Sequence, residues 1–229
     1  MLPDECAAGV FLTHQQPPDR DPGVALDEQL TLVRAARDLG FDSVFGGQHH
    51  LAESLAHIQP LPWLARLAAD AGEMRVGAGI HLLALHNPVD SAEAYASLDV
   101  VCRGRSIFGV GLGYRDVEYD AFGIPPGQRV HRFEENLRIV EALWSGDRVY
   151  ADLPWCRLDG VRATMMPAAT PRPPIWMAAN SDGAVRRAAR LADTWMINPH
   201  ATATTVRRQL ELFHAERVAA GRAPSPSCR

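Results

Sequence analysis

The fold is decided by one short stretch, FDSVFGGQHH, at Phe41–His50. Its first half predicts a buried strand at Ser43–Phe45, and two glycines lead from that strand into Gln48 and the paired histidines. Glycines at a strand end let the backbone turn sharply or approach a ligand closely. In a barrel of alternating strands and helices, catalytic side chains lie at this end of each strand. Because imidazole transfers protons near neutral pH, His49 is the first candidate catalytic residue.

The composition is that of a globular chain, and its charge does not favour nucleic-acid binding. The 229 residues are 47% hydrophobic and 22% charged, with a formal net charge of −4. We therefore expect no nucleic-acid partner. No run approaches the roughly 20 apolar residues of a membrane span, and no signal peptide is visible, so we expect no membrane partner and a cytoplasmic location. The four cysteines are far apart and form no CxxC pair, which argues against a zinc ribbon or a disulfide scaffold.

Strand and helix patterns alternate about six times along the chain. The first helix is expected to begin at an N-cap Asp27 and to end at Gly40. A long irregular loop is expected at Gly113–Arg129, and an inserted loop or small hairpin at Arg148–Pro174. The expected strands are Ala7–Thr13, Ser43–Phe45, Met74–Leu83, Ser106–Leu112, Pro174–Ala179 and Asp193–Asn198.

This alternation predicts an α/β fold with a parallel sheet, because the connections are too long for hairpins. Two closures are possible, an open doubly wound sheet or a closed barrel. No G-x-G-x-x-G follows the first strand, and the glycines at Gly109–Gly113 lie late with the wrong spacing. The pattern therefore favours a barrel, which needs eight strand–helix units. We assign residues 1–220 to this barrel domain, with an insertion at about 148–174, and expect a disordered tail at 221–229.

Five motifs in sequence resemble the bacterial luciferase-like family of flavin-dependent oxidoreductases. Any one motif is weak evidence for this family, but five motifs in the family's order over nearly the whole chain are specific for it. The motifs are DLGFDSVFGGQHH, VGAGIHLLALHNPV, RSIFGVGLGYRDVEYDAFG, RFEENLRIVEALW and PPIWMAANSDGAVRRAARLADTWMINP.

The resemblance implies a TIM-type (β/α)8 barrel that holds FMN or a deazaflavin coenzyme at its strand ends. One branch of the family uses reduced FMN and O2 to oxygenate an organic substrate, and another passes a hydride between substrate and deazaflavin. We expect the monooxygenase reaction on a small organic substrate, with reduced FMN delivered by a partner flavin reductase. The glutamate that often precedes the paired histidines is replaced by Gln48, which is expected to change the charge near the flavin.

Only about six of the eight strand–helix units are visible, so the barrel is expected to be truncated after the sixth. An open barrel would leave two parallel strand edges and a row of core side chains exposed. Another chain covers that gap, or the sequence is a fragment, or the count of elements is wrong. The unfilled edge favours a homo-oligomer. It also leaves open a shortened, non-catalytic flavin-binding protein.

Three positions match the family's active-site and flavin-binding motifs most directly. By resemblance, His49 is the active-site histidine, which acts as a general base or holds a flavin-peroxide by hydrogen bonding. Gly79-Ile80 matches the position of a non-proline cis peptide behind the flavin ring, although a plain strand is the alternative. Asn180-Ser181 opens a helix whose free N–H groups suit the flavin phosphate, although both residues are also ordinary N-caps.

Three further positions are assigned to cofactor binding. Arg129 matches an arginine that lies near the phosphate or ribityl chain, although it could instead pair with Glu134 or Glu135. Gly111 lets the fourth strand approach the cofactor or merely relieves packing. Asn198 ends the sixth expected strand on the same rim.

A metal-dependent barrel hydrolase is the main rival from a different class of enzyme. Its ligands would be drawn from His49, His81, His86 and His200. Metal sites usually combine several inward-facing ligands, often with a carboxylate. No HxH pair lies on the first strand and no strand clearly ends in Asp or Glu, so we expect no metal site.

Overall fold

The computed structural model of the chain describes residues 7–223. The helices are α1 Pro22–Asp38, α2 Pro60–Ala68, α3 Pro88–Val101, α4 Asp116–Ala121, α5 Arg129–Trp144, α6 Asp182–Leu191 and α7 Ala203–Ala219, with 3-10 turns at Leu83–Leu85 and Pro126–Gln128. The strands are β1 Gly9–Leu12, β2 Gln15–Gln16, β3 Ser43–Gly46, β4 Ala56–His57, β5 Arg75–Ala78, β6 Ser106–Val110, β7 Val149–Leu153, β8 Cys156–Val161, β9 Ile175–Ala179 and β10 Thr194–Ile197.

Six parallel strands form the main sheet in the order β1-β3-β5-β6-β9-β10. Each strand therefore pairs with the next sheet strand along the chain, which is the order found in a (β/α) barrel. Within the described part of the chain, β1 and β10 are the two outer strands of this sheet. The curled parallel sheet with its helices confirms the expected barrel fold, with six of the eight units.

Two short antiparallel pairs lie outside the main sheet. β2 pairs with β4, which brings Gln15 opposite His57 close to the end of β1. β7 pairs with β8, so the segment at 148–174 contains the small hairpin that was one of the two expectations for it. Of the expected disordered tail at 221–229, residues 224–229 lie outside the described part of the chain.

The start of α1 differs from the sequence-based expectation. Its N-cap is Asp21 rather than Asp27, and the Asp21 carboxylate accepts hydrogen bonds from Gly23 N at 2.7 Å and Val24 N at 3.1 Å. Pro22 is the first helical residue, a position where its missing N–H and fixed φ are tolerated. The end of the helix is as expected, because Gly40 has a φ of +79° and closes it in the left-handed conformation.

Two other expectations are corrected by the structure. The strand expected at Met74–Leu83 covers only Arg75–Ala78 and is followed by a 3-10 turn. The loop expected at Gly113–Arg129 contains the six-residue helix α4, whose inner face buries Tyr119.

The main core lies between the sheet and the helices. It includes five fully buried aromatic residues: Trp63, Tyr95, Phe108, Phe133 and Trp144. The Trp144 indole N–H donates to Ala92 O at 2.9 Å, so the polar atom of this side chain is satisfied inside the core. None of the helices described within 7–223 combines the length and the hydrophobicity that a membrane span requires.

Candidate active site

The carboxyl ends of all six sheet strands contribute to one cavity of about 680 Å³. This volume is within the range of small-molecule and cofactor sites. Parallel strands end at the same edge of the sheet, so residues that are distant in sequence meet there. The lining residues are Phe11, Thr13, His14, Gln15, Gly47, Gln48, His49, His57, Gly79, Ile80, Leu82, Leu112, Gly113, Tyr114, Ala178, Ala179, Asn180, Ser181, Ala184, Met196, Ile197, Asn198 and Pro199.

Six of the eight predicted site residues line this cavity. They come from four different strand ends, and the structure brings them together on one rim. Their roles toward a cofactor stay predictions. The six are His49, Gly79, Ile80, Asn180, Ser181 and Asn198.

Gly111 lies behind the cavity wall rather than on it. A Cβ at this position would overlap Cδ1 of Ile80 and would lie 3.5 Å from Cβ of Ala178. The missing side chain therefore leaves the space that Ile80 occupies.

Arg129 is not among the lining residues. Its guanidinium pairs with Asp116 and lies 4.1 Å from the ring centroid of Tyr119. The alternative pairing with Glu134 or Glu135 is wrong. Those two carboxylates pair instead with Arg187 and Arg138, respectively.

One wall of the cavity is apolar. The peptide bond between Gly79 and Ile80 is cis, the geometry that the resemblance predicted for this position. A Cβ on Gly79 would crowd the ring of Phe11 and lie 3.4 Å from Cε of Met196. Phe11 is half exposed. Together, Phe11, Ile80 and Met196 offer a hydrophobic surface that suits one face of a flat ring system.

The imidazole of His49 lies next to a buried carboxyl group. Its Nδ1 lies 3.1 Å from Oε1 of Glu118, which is fully buried on α4. The imidazole side chain is 21% exposed. It contacts the ring of His57 edge-on at 5.4 Å between centroids and the ring of Tyr114 at 5.7 Å.

Gln48 is buried, and its side-chain amide contacts three loop segments. Its Oε1 accepts from Leu82 N at 2.8 Å, which fixes the orientation of the amide. Its Nε2 lies 3.3 Å from His50 Nε2 and 3.2 Å from His86 Nε2. Because an amide nitrogen only donates, these ring nitrogens act as acceptors. Gln48 thus supplies donors where a glutamate would supply acceptors.

Two further histidines lie beside His49 and are held neutral by burial. Desolvation, followed by the neighbouring His14 and His49, lowers the pKa of His57 to about 4. Burial also lowers the pKa of His14, whose ring stacks on Trp63 at 4.5 Å. Near neutral pH, both rings therefore add polarity to the cavity without adding charge.

The start of α6 lies at the cavity, where Ser181 and Ala184 are among the lining residues. The Ser181 hydroxyl caps the helix by accepting from Ala184 N at 3.3 Å. The N–H groups of Asp182 and Gly183 precede the first intrahelical bond and have no carbonyl partner within the helix. Two hydrogen bonds from Arg208, at 2.6 and 2.8 Å, lower the pKa of Asp182 to about 2. This arrangement suits an anion, because Arg208 compensates the carboxylate beside the N–H groups.

Sequence reasoning missed three residues of this site. His14 could have been found, because it directly follows the first strand. A position directly after a strand was also the signal that identified His49. His57 reaches the rim only through the pairing of β2 with β4. Glu118 lies in a segment that was read as irregular, and no local pattern marks it as buried. Within residues 7–223, no group of three or more His, Cys, Asp or Glu side chains is arranged to hold a metal ion.

Comparisons with known proteins show the family of the chain and its fold. A family model described as luciferase-like monooxygenase matches residues 7–228. Among curated proteins, the uncharacterized protein y4wF of Sinorhizobium fredii is 29% identical over 218 residues. The match covers 94% of this chain and 62% of that protein, so the chain spans less than two thirds of this relative's length.

Solved structures are similar over almost the whole chain. Monooxygenase RslO1 from Streptomyces bottropensis has a TM-score of 0.87 and 26% identity, covering 96% of this chain and 68% of that one. The oxygenating constituent of 3,6-diketocamphane monooxygenase from Pseudomonas putida, in complex with FMN, has a TM-score of 0.84 at 18% identity and covers 95% and 64%. A secondary alcohol dehydrogenase dependent on the deazaflavin F420, in complex with an F420-acetone adduct, has a TM-score of 0.82 at 23% identity and covers 96% and 66%.

Proposed function

Because the chain belongs to the luciferase-like monooxygenase family, we propose that it is a flavin-dependent oxidoreductase. Within that class we assign it to the monooxygenases, with reduced FMN and O2 as co-substrates and a small organic molecule as the acceptor of oxygen. Two of the similar structures support this assignment, because both are monooxygenases and one of them contains FMN.

The observation that carries the proposal is the shared cavity of His49 and the start of α6. The apolar wall at Ile80 would receive the flavin ring. The N–H groups at the beginning of α6, capped by Ser181, would receive the phosphate. Asn180 and Asn198 on the same rim would donate to or accept from the polar edge of the cofactor. The cavity has the size and the mixture of apolar wall and anion site that FMN requires.

The chain's own contribution to the proposed reaction is the transfer of protons by His49. Reduced FMN, when bound, would supply the electrons that activate O2. His49 presents its imidazole to the cavity, where a ring nitrogen can accept or hold a proton during oxygen transfer.

Two kinds of partner belong to this proposal. Reduced FMN would come from a separate flavin reductase. A second copy of the chain would lie against the outer strands β1 and β10, which each have a single pairing partner in the described sheet.

A deazaflavin-dependent hydride transfer is the second candidate. It is supported by the similar alcohol dehydrogenase, which carries a deazaflavin adduct in a structure of the same fold. The two candidates differ in cofactor and in their need for O2, so they can be separated by binding and by oxygen consumption.

The deciding experiment has two steps. Titrations of the protein with oxidised FMN, reduced FMN and a deazaflavin, followed by fluorescence, should give the tightest binding for reduced FMN. Product formation from reduced FMN and O2 should then fall by about 100-fold in His49→Ala, while FMN affinity stays nearly the same. His131→Ala is the control, because this exposed imidazole lies against Trp155 on another face. Preferred binding of deazaflavin would favour the second candidate, and flavin binding without turnover would favour a non-catalytic protein.

A further inference from the structure

Glu118 is a fully buried acidic residue whose hydrogen bonds all run to the histidine loop and to Arg115. Its Oε1 accepts from the backbone N–H of His50 at 2.8 Å and lies 3.1 Å from His49 Nδ1. The Arg115 guanidinium lies 3.5 Å from the same oxygen. A buried carboxyl group persists in a fold only when such partners compensate it.

The pattern of partners fixes the charge of this carboxyl group. Oε1 receives the His50 N–H, so Oε1 acts as an acceptor. The second oxygen, Oε2, is buried and has no hydrogen-bond partner. The ionised form is compensated at Oε1, where the His50 N–H, the His49 ring and the positive charge of Arg115 converge.

Arg115 also fixes the loop that carries the histidines. Its Nη1 donates to His50 O at 2.6 Å and its Nη2 donates to Leu51 O at 3.0 Å. Leu51 has a φ of +50°, a left-handed conformation that a leucine seldom adopts. The loop is thus held in one conformation by contacts from α4 and the residue before it.

An ionised carboxylate determines which nitrogen of the His49 ring carries the proton. Since Glu118 can only accept, the short contact requires a hydrogen on Nδ1. In the neutral ring, Nε2 is then the unprotonated nitrogen, and the His49 side chain lines the cavity.

We propose that Glu118 is a positioning residue that holds His49 in the Nδ1–H form and thereby presents Nε2 to the cavity as the proton acceptor. The tautomer follows from the Glu118 contacts alone, whereas its use in oxygen transfer rests on the proposed function.

The tautomer can be measured without any cofactor. In protein labelled with 15N-histidine, long-range 1H–15N spectra distinguish a protonated ring nitrogen from an unprotonated one. Above the pH at which the ring is charged, we expect His49 with a protonated Nδ1 and an unprotonated Nε2. The His49→Gln variant assigns the signals. A wild-type His49 with its proton on Nε2 would overturn the proposal, and this result requires no variant that alters the Glu118 site.

Variants at Glu118 then test the cause. Glu118→Ala removes the acceptor and should shift His49 to the Nε2–H form, which is the favoured tautomer of histidine in water. Glu118→Gln keeps a carbonyl acceptor and should restore the Nδ1–H form. Asp120→Asn is the matched control, because this carboxylate lies exposed on the same helix and should leave the tautomer unchanged. An unchanged tautomer in folded Glu118→Ala would refute the role of Glu118.

Kinetics separate this proposal from the proposed function. If the chain turns over reduced FMN and O2, Glu118→Ala should lower kcat about 100-fold with little change in KM, and Glu118→Gln should recover part of that loss. If no turnover is found but His49 carries its proton on Nδ1, the function fails and the positioning role stands. If turnover is found with the Nε2–H form, the positioning role fails and the function stands.

Discussion

His86 is expected to make the fold sensitive to mild acid. Its ring stacks on His81 at 4.4 Å between centroids, and its Nε2 accepts from the Gln48 amide at 3.2 Å. Burial, followed by the neighbouring His50, lowers the pKa of His86 from 6.5 to about 4. The folded protein therefore keeps this ring neutral in a pH range where the unfolded chain protonates it.

The magnitude follows from linkage between protonation and folding. The unfolded state binds the extra proton below pH 6.5, and the folded state binds it only near pH 4, so stability falls as the pH decreases between these values. A fall in pKa from 6.5 to about 4 corresponds to about 3 kcal/mol of unfolding free energy. Burial lowers the pKa of His50 and His81 as well, so the total acid sensitivity of the wild type should be larger.

Urea unfolding at pH 7 and pH 4 measures this contribution. His86→Gln removes the titration but keeps an amide that can accept from Gln48. Between pH 7 and pH 4, the free energy of unfolding should fall by about 3 kcal/mol less in the variant than in the wild type, with equal m-values. Comparing each protein with itself cancels the constant effect of the lost ring contacts. An equal loss in both proteins would refute the reasoning, because another group would then carry the acid sensitivity.

Two further predictions test the strand packing and the anion site. In Gly109→Ala the new Cβ would overlap the backbone oxygen of Ala78 and lie 2.9 Å from its carbonyl carbon, so β5 and β6 must separate. The free energy of unfolding, measured by urea titration, should therefore fall by about 3 kcal/mol. Gly127→Ala is the control, because a Cβ there meets nothing within 4 Å and should change the free energy of unfolding by less than about 0.5 kcal/mol. Ser181→Ala removes the cap of α6 and should lower the free energy of unfolding by about 1 kcal/mol. In parallel fluorescence titrations, the same variant should lose more affinity for FMN than for riboflavin, which lacks the phosphate. An equal loss of affinity for both would place the phosphate elsewhere.

The elements that the sequence predicts well are those in which local pattern and burial agree. β3 is buried at every position, as a strand covered on both faces must be, and its predicted range differs from the structure by one residue. α6 begins directly after the capping Ser181, where the sequence predicted the start of a helix. In both cases a short window of sequence contains all the information that the element needs.

The errors occur where two local signals compete or where the element is too short. Asp21 and Asp27 are both acceptable caps, and Pro22 beside the first made that segment resemble a loop although proline suits the first helical position. α4 has six residues, fewer than two turns, so hydrophobic periodicity cannot reveal it. The consequence is that Glu118, on this helix, could not be predicted as part of the site.

The pair formed by His49 and Glu118 explains why the rest of the site needed the structure. The two residues are 69 positions apart, and the signals that mark each of them are unrelated. Burial of the carboxylate is favourable only while the His50 N–H, the His49 ring and Arg115 all converge on it, so the same contacts support the helix α4 and orient the imidazole. Stability at this rim and the proposed role of His49 in proton transfer therefore depend on one set of bonds. A substitution of Glu118 that disturbs the orientation of His49 should also lower the protection of the His50 amide from hydrogen exchange, whereas a substitution of His49 alone should not.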